Sequence, residues 1–406
     1  MRHEFDIWRC IADTARVVIR SEAFDPPEYV SWQATPAALD EWQQTLDASR
    51  SRRRITGALT PTDHVKLFAG LLRFRLMDTF LKRWVKQGVI SKAWLGTGEE
   101  AVTVGNVHAL RRGRDGDVVG PMIRNAGAYR EMGMPMAAVF KSYLGTHDQL
   151  CKGRDLHIGD LECGVISPIS MVAALVPVCA GAALAFKQRR EDRVALTWVG
   201  DGSTRTGDFH EGMSLAAALG LPLVVVIQNN QVALGTRVEV HTRAPLDKLH
   251  VAYGVKGYAC DGNNVLDTYA ATVQAVTDCR KGRGPVLLAA NTFRMGGHAT
   301  HDEAEARELV PRALFQYWGE RDPVGLYETH LARSEMALEE GVESLGLHLD
   351  ALPRPRAERN RAVLDQVARA ADAEVEAAAA EALESRESAM PDGSDVDHGT
   401  YAQPCE

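Results

Sequence analysis

The chain has 406 residues, 45% of them hydrophobic and 25% charged, enough to bury a large core as one big α/β domain or two smaller ones. Its formal net charge is -8 and it carries no dense basic tract, which argues against nucleic acid as a partner, since phosphate binding draws on clustered Lys and Arg. Seven cysteines lie scattered without a CxxC pair, so a reduced, cytoplasmic setting is expected rather than a disulfide scaffold or a zinc site. The opening residues 1–9 lack the apolar stretch of a signal peptide.

Residues 1–60 read as a helical arm, broken at Asp25-Pro26-Pro27 and resumed as a polar helix over 36–49. The short basic run Arg50-Ser51-Arg52-Arg53-Arg54 reads as a solvated helix end or linker. Thr60-Pro61-Thr62-Asp63 is a helix start, and 65–87 follow as one long amphipathic helix. Thr97 and Glu100 stand at capping-box spacing and predict another start. The longest apolar stretch, 166–186, contains Ser, Pro and Gly and is followed by a strand, so a buried core helix is expected there rather than a membrane span. Apolar runs at 194–199, 223–227 and 286–292, separated by helical segments, predict parallel strands in βαβ units of an open, doubly wound sheet. Beyond about Asp302 the chain is polar and helical, with one long helix over 355–384 and a loop-like tail from Met390. The expected organisation is therefore an arm over 1–60, an α/β domain over 61–331, and a helical extension and tail over 332–406.

The strongest chemical signal is Gly200-Asp201-Gly202 followed by Asn229-Asn230. A strand ending at Gly200 would open into a tight turn whose backbone amides no Cβ obstructs. A helix over about 208–219 and a second strand from Pro222 then form a right-handed crossover, which returns the chain to the same edge of the sheet. Asp201 and Asn230 should meet at the carboxyl edge, where open α/β sheets bind ligands. A carboxylate and an amide oxygen are hard donors suited to Mg²⁺, with Ca²⁺ or Mn²⁺ as alternatives. Together with a helix start for an anion, they describe a metal-bridged diphosphate site.

With these residues in place, the sequence resembles the alpha subunits of the thiamine-diphosphate-dependent 2-oxo acid dehydrogenases: pyruvate, branched-chain 2-oxo acid and acetoin dehydrogenases. The resemblance runs from about Lys66 to Leu331. Its segments occur in family order: Gly98-Glu99-Glu100-Ala101, Ile123-Arg124-Asn125-Ala126-Gly127, Lys152-Gly153-Arg154, Gly207-Asp208-Phe209-His210-Glu211 and Arg294-Met295-Gly296-Gly297-His298. The resemblance implies the thiamine-diphosphate-binding fold, with a mostly parallel sheet and helical extensions at both ends. It also implies metal ligation by Asp201, Asn230 and the main-chain carbonyl of Val232. The Gly200-Asp201-Gly202 turn would face the diphosphate, with Gly202 and Ser203 supplying amides and Arg124 a guanidinium. Main chain at Ser170 and Val172 would meet the aminopyrimidine ring, and His298 would be the catalytic histidine of a loop.

The same resemblance implies a beta subunit that contributes the activating glutamate, an α2β2 assembly, a small 2-oxo acid substrate, and a lipoyl-bearing acyltransferase as acyl acceptor. No membrane partner is expected. Three departures stand out. Ile123 replaces a tyrosine, Arg205-Thr206 stand where a Ser-Glu pair is usual, with Arg205 adding charge near the diphosphate, and Ala299 replaces a phosphorylatable serine. Two alternatives stay open: a carboligase or transketolase-like half-subunit on the same scaffold, and a cofactor-binding subunit without catalysis.

Overall fold

A hydroxyl residue precedes each of the first three helices among the described residues and accepts a backbone N–H of its first turn. The computed structural model describes residues 34–349 and 352–394. The expected arm up to residue 33, with its Asp25-Pro26-Pro27 break, and the tail from 395 lie outside them. Thr35 caps α1 (Pro36–Asp47), Ser49 caps α2 (Arg50–Thr56), and Thr60 caps α3 (Pro61–Lys86) in a reciprocal box with Asp63. The basic run is α2, and one of its arginines is structural rather than solvated. Arg52 pairs with the buried Asp267 at 2.6 Å and donates to the Ala259 carbonyl.

The next start differs from expectation. Helix α4 (Glu100–His108) has Glu99 at its cap with no side-chain capping bond. Thr97 instead donates to Asp78 of α3 at 2.8 Å, and the Glu100 carboxylate accepts the Gly98 N–H at 2.9 Å. A buried acceptor distant in sequence outcompetes the local box.

Strand β1 (Val118–Gly120) leads through a 3₁₀ turn at Ile123–Asn125 to α5 (Gly127–Met132) and α6 (Met136–Leu144). Within the apolar stretch, helix α7 begins only at Leu175 and runs to Arg189, after an irregular segment in which Ala173 takes a φ of 67°. Its burial is one-sided. Val176, Cys179, Ala180 and Ala183 pack on the sheet while Val178 remains 42% exposed, because a helix laid on a sheet buries only one stripe. Among the described residues no helix is long and apolar enough to cross a membrane.

Strands β2 (Ala195–Gly200) and β3 (Leu223–Asn229) flank α8 (Gly207–Leu219). A small antiparallel pair, β4 (Val232–Ala233) and β5 (Thr236–Arg237), and the short helix α9 (Val238–His241) follow. Strand β6 (Lys256–Asp261), α10 (Val265–Arg280) and β7 (Val286–Asn291) complete a five-stranded sheet of order β1-β2-β3-β7-β6, parallel throughout. Alternation divides its side chains between two cores. Leu196, Trp198, Val224 and Val226 pack with α3 and α4 on one face, and Ala195, Val199, Val225 and Ile227 with α7 and α8 on the other. This is the doubly wound α/β architecture that the sequence predicts. Helices α11 (Glu303–Leu309), α12 (Arg312–Gly319), α13 (Pro323–Arg333) and the 33-residue α14 (Arg356–Ser388) follow, α14 lying against α3 and α6.

One buried charge set binds three of these elements. Arg75 of α3 is fully buried between Glu100 (2.5 Å) and Asp322 (2.6 Å). Arg75→Leu should lower the unfolding free energy by about 3–5 kcal/mol in urea titrations, because it strands two buried carboxylates. Nearby, burial depresses the pKa of His64 and of His330 to about 4; His64 bonds the Tyr327 hydroxyl at 2.7 Å, and the His330 ring lies against Trp42. The unfolded chain takes up these protons near pH 6.5, the folded one only near 4. Stability should therefore be complete above pH 6.5 and be lost as pH falls towards 4. Thermal melts across that window should show a shallower decline for His330→Gln.

Candidate active site

Register fixes where the two tips lie. Gly200 pairs with Gln228 across parallel β2 and β3, so Asp201 and Asn230 leave neighbouring strands at one edge. Asp201 is 2% exposed, and burial raises its pKa. Its carboxylate meets His241 of α9 at 3.2 Å. Gly202 is required by a close approach: a Cβ there would stand 2.5 Å from that of Ala233. The glycine thus lets the 3₁₀ turn Gly202–Arg205 close onto β4, placing the Gly202 and Ser203 backbone beside Val232. Helix α8 starts afterwards, with Thr206 as its cap. Arg205 is exposed and its Nε donates to Thr204 at 3.1 Å.

Glu99 organises the other side. Fully buried, it accepts from Gln228 at 2.5 Å and from Asn230 Nδ2 at 2.9 Å, and its second oxygen faces Arg124 at 3.5 Å. A carboxylate takes only the NH₂ end of an amide, so Glu99 orients Asn230 with Oδ1 free for another partner. The contact of that oxygen is a long one, 3.5 Å to the Val232 N–H.

Arg124, from the 3₁₀ turn after β1, donates to the Leu95 carbonyl at 2.9 Å and to His298 at both Nδ1 (3.2 Å) and the carbonyl (3.1 Å). A donor at Nδ1 places the imidazole proton on Nε2. Burial, then Arg124 and Arg294, push the His298 pKa down to about 4, and burial with Arg124 pushes Arg294 down to about 10. Arg294 Nη1 donates to the Val232 carbonyl at 3.2 Å, and Nη2 to that of Leu234 at 2.9 Å. Arg124 and Arg294 thus disfavour the charged form of His298, and Arg124 that of Arg294, with Glu99, Asp302 and Asp201 opposing the effect on Arg294.

Of the residues singled out in the sequence, Arg124, Asn230 and His298 belong to one bonded network through Glu99, and Asp201, Gly202 and Val232 adjoin it. Ser170 and Val172 stand apart on the exposed segment before α7. Ser170 Oγ lies 3.3 Å from His157, and Val172 is 54% exposed next to Met171. Sequence reasoning missed the parts played by Glu99, Gln228, His241 and Arg294. Glu99 and Arg294 lie inside segments that were singled out; His241 carried no local signal.

The family model described as dehydrogenase E1 component matches residues 71–351, which takes in every residue of the network. The chain belongs to this family. The 3-methyl-2-oxobutanoate dehydrogenase subunit alpha of Mycobacterium tuberculosis is 32% identical over 357 residues, covering 86% of this chain and 88% of that one. The pyruvate dehydrogenase E1 component subunit alpha of Rhizobium meliloti is 29% identical over 70% of this chain and 81% of its own. The chloroplastic pyruvate dehydrogenase E1 component subunit alpha-3 of Arabidopsis thaliana is 27% identical, over 76% and 73% respectively. The E1 family thus agrees with the resemblance read from the motifs.

Proposed function

We propose that this chain is the alpha subunit of a thiamine-diphosphate-dependent 2-oxo acid dehydrogenase, working with a beta subunit to decarboxylate a 2-oxo acid oxidatively and pass the acyl group to lipoamide. The observation that carries the reading is the pairing of a buried carboxylate, Asp201, and an oriented amide oxygen, Asn230, with a cluster of buried cations at one sheet edge.

The residues fit a metal-bound diphosphate. Burial penalises the Asp201 charge, which a cation would relieve, and the crowding of Arg124, Arg294 and His298 would be relieved by an anion. Asp201, Asn230 Oδ1 and the Val232 carbonyl would hold Mg²⁺, with Ca²⁺ or Mn²⁺ as substitutes; a carbonyl has two lone pairs, so Val232 can keep its bond to Arg294. The Gly202 and Ser203 amides after Gly200 would meet the diphosphate, with Arg124 as its charged partner. When bound, thiamine diphosphate supplies the electron sink for decarboxylation. His298, neutral and protonated on Nε2, would donate from that nitrogen to the reacting group or the substrate carboxylate, while Arg124 fixes its ring. The Ser170–Val172 backbone would face the pyrimidine ring.

Exposed Met171, Val172 and Val178 lie on and beside that segment and would be covered by the beta subunit, which brings the activating glutamate; an α2β2 assembly and a lipoyl-bearing acyltransferase complete the set. The test is to co-express the chain with its beta subunit and supply 3-methyl-2-oxobutanoate, pyruvate or acetoin with a lipoylated acceptor. Acyl-lipoamide from the pair, and none from the isolated chain, is expected. A hydroxyketone product would favour the carboligase alternative, and turnover by the chain alone would refute the divided site.

A further inference from the structure

Residues 92–95 are one strip of chain with two different sides. On one side it holds the catalytic loop. The Ala93 N–H donates to Thr300 Oγ1 at 3.1 Å, the Thr300 N–H donates to the Ala93 carbonyl at 2.9 Å, and the Leu95 carbonyl accepts from Arg124. On the other it walls a cavity of about 280 Å³ at the C-terminal end of α14. That volume is just under the range of about 300–1,000 Å³ for drug-sized ligands, so it suits only a small molecule.

The cavity is half open, and its lining mixes apolar and polar surface with two cationic side chains. Ile90, Trp94, Leu144 and Leu156 contribute the apolar surface; the Tyr143 hydroxyl accepts from the Trp94 N–H at 3.3 Å and locks the wall. Lys92 and Arg386 bring two positive charges. The Lys92 ammonium lies 5.1 Å from the Trp94 ring centre, and Arg386 donates to the Val89 carbonyl at 3.2 Å. The contacts that each makes among the described residues are to a ring and to a main-chain carbonyl rather than to a carboxylate. A half-open pocket that combines apolar side chains with two cations unpaired among the described residues complements a small molecule with a hydrocarbon body and one anionic head. A phosphate or a dicarboxylate would leave the apolar lining unfilled.

We infer that this cavity binds a short aliphatic monocarboxylate, headgroup to Lys92 and Arg386 and chain against Trp94 and Leu144, and that its occupation stiffens the His298 loop through the Ala93–Thr300 pair of hydrogen bonds. The site is separate from the network around Asp201, and its occupation by a ligand does not depend on the cofactor assignment. Coupling is carried by a defined physical link, a wall shared by the cavity and the loop, rather than by proximity alone.

The experiment is calorimetric titration of the full chain with 4-methylpentanoate, which lacks a 2-oxo group, alongside hydrogen exchange read at the Thr300 amide. Saturable binding is expected, weakened at least tenfold in the Lys92→Ala/Arg386→Ala double variant and changed less than threefold in His298→Ala. Added ligand should slow Thr300 exchange in the native chain and not in the double variant. Absence of saturable binding, binding indifferent to the double variant, or binding lost in His298→Ala would each overturn the site. Binding that leaves Thr300 exchange unchanged would overturn the coupling.

Discussion

Asp201→Asn is expected to abolish retention of the metal ion, and with it thiamine diphosphate, while leaving the chain folded. Asp201 is the only formally charged group among the three proposed ligands. Loss of a mere outer-shell partner costs about 10–100-fold in metal affinity, so loss of the charged ligand should exceed about 100-fold. The fold should tolerate the change. Burial raises the Asp201 pKa, so its ionised form is a liability at neutral pH, and the amide removes it. Thermal melts of the cofactor-free protein should show an equal or higher midpoint for Asp201→Asn, with no further rise on adding Mg²⁺ and thiamine diphosphate. A raised midpoint on adding the pair would detach Asp201 from the site. Glu99→Gln supplies the graded comparison. Its amide can meet Asn230 through oxygen or nitrogen and no longer fixes which end points inward. A weakening of about 10–100-fold is expected there, less than for Asp201→Asn.

His298→Ala should separate binding from turnover. A positioned histidine acting on a proton typically contributes about 10²–10⁴-fold. A fall in kcat of that order is expected in the assembled enzyme, with thiamine diphosphate affinity nearly unchanged because Arg124 keeps its contacts to the Leu95 carbonyl and Glu99. The electrostatics add a second reading. In the cofactor-free chain burial, with Arg124 and Arg294 adding to it, holds the His298 ring neutral down to about pH 4. An anion placed between them offsets those charges, so the ring's midpoint should move up on diphosphate binding. Ring titration by NMR, with and without cofactor, checks the direction. A midpoint that stays at about 4 would remove His298 from the neighbourhood of the diphosphate.

The parts of this protein legible in sequence are those where geometry is forced. Parallel strands joined by a crossover must end at one edge, so Asp201 and Asn230 could be placed together from spacing alone, and the register of Gly200 against Gln228 agrees. The runs that became β2, β3 and β7 were visible because strands buried on both faces are continuously apolar. Strand β1 has three residues and β6 is an edge strand, Lys256–Asp261, containing Gly257, so neither carries that pattern. Side-chain partnership was the least legible. Thr97 and Glu100 had the spacing of a capping box, yet Asp78 and Arg75 on α3 claimed them. Glu99 looked like one more acidic residue at a helix start until Gln228, Asn230 and Arg124 arrived from three other segments. The exposed stripe of α7 followed the same logic: its small apolar residues signal close packing but do not say whether the partner is this chain or another.

The metal clamp is tested most directly by anomalous scattering from Mn²⁺ in crystals of the assembled alpha–beta enzyme with thiamine diphosphate. A single peak is expected at the β2–β3 edge, about 2.1–2.2 Å from an Asp201 carboxylate oxygen, Asn230 Oδ1 and the Val232 carbonyl, with the remaining positions filled by diphosphate and water. A metal bound elsewhere, or thiamine diphosphate seated with Asp201 and Asn230 turned away from it, would contradict the account.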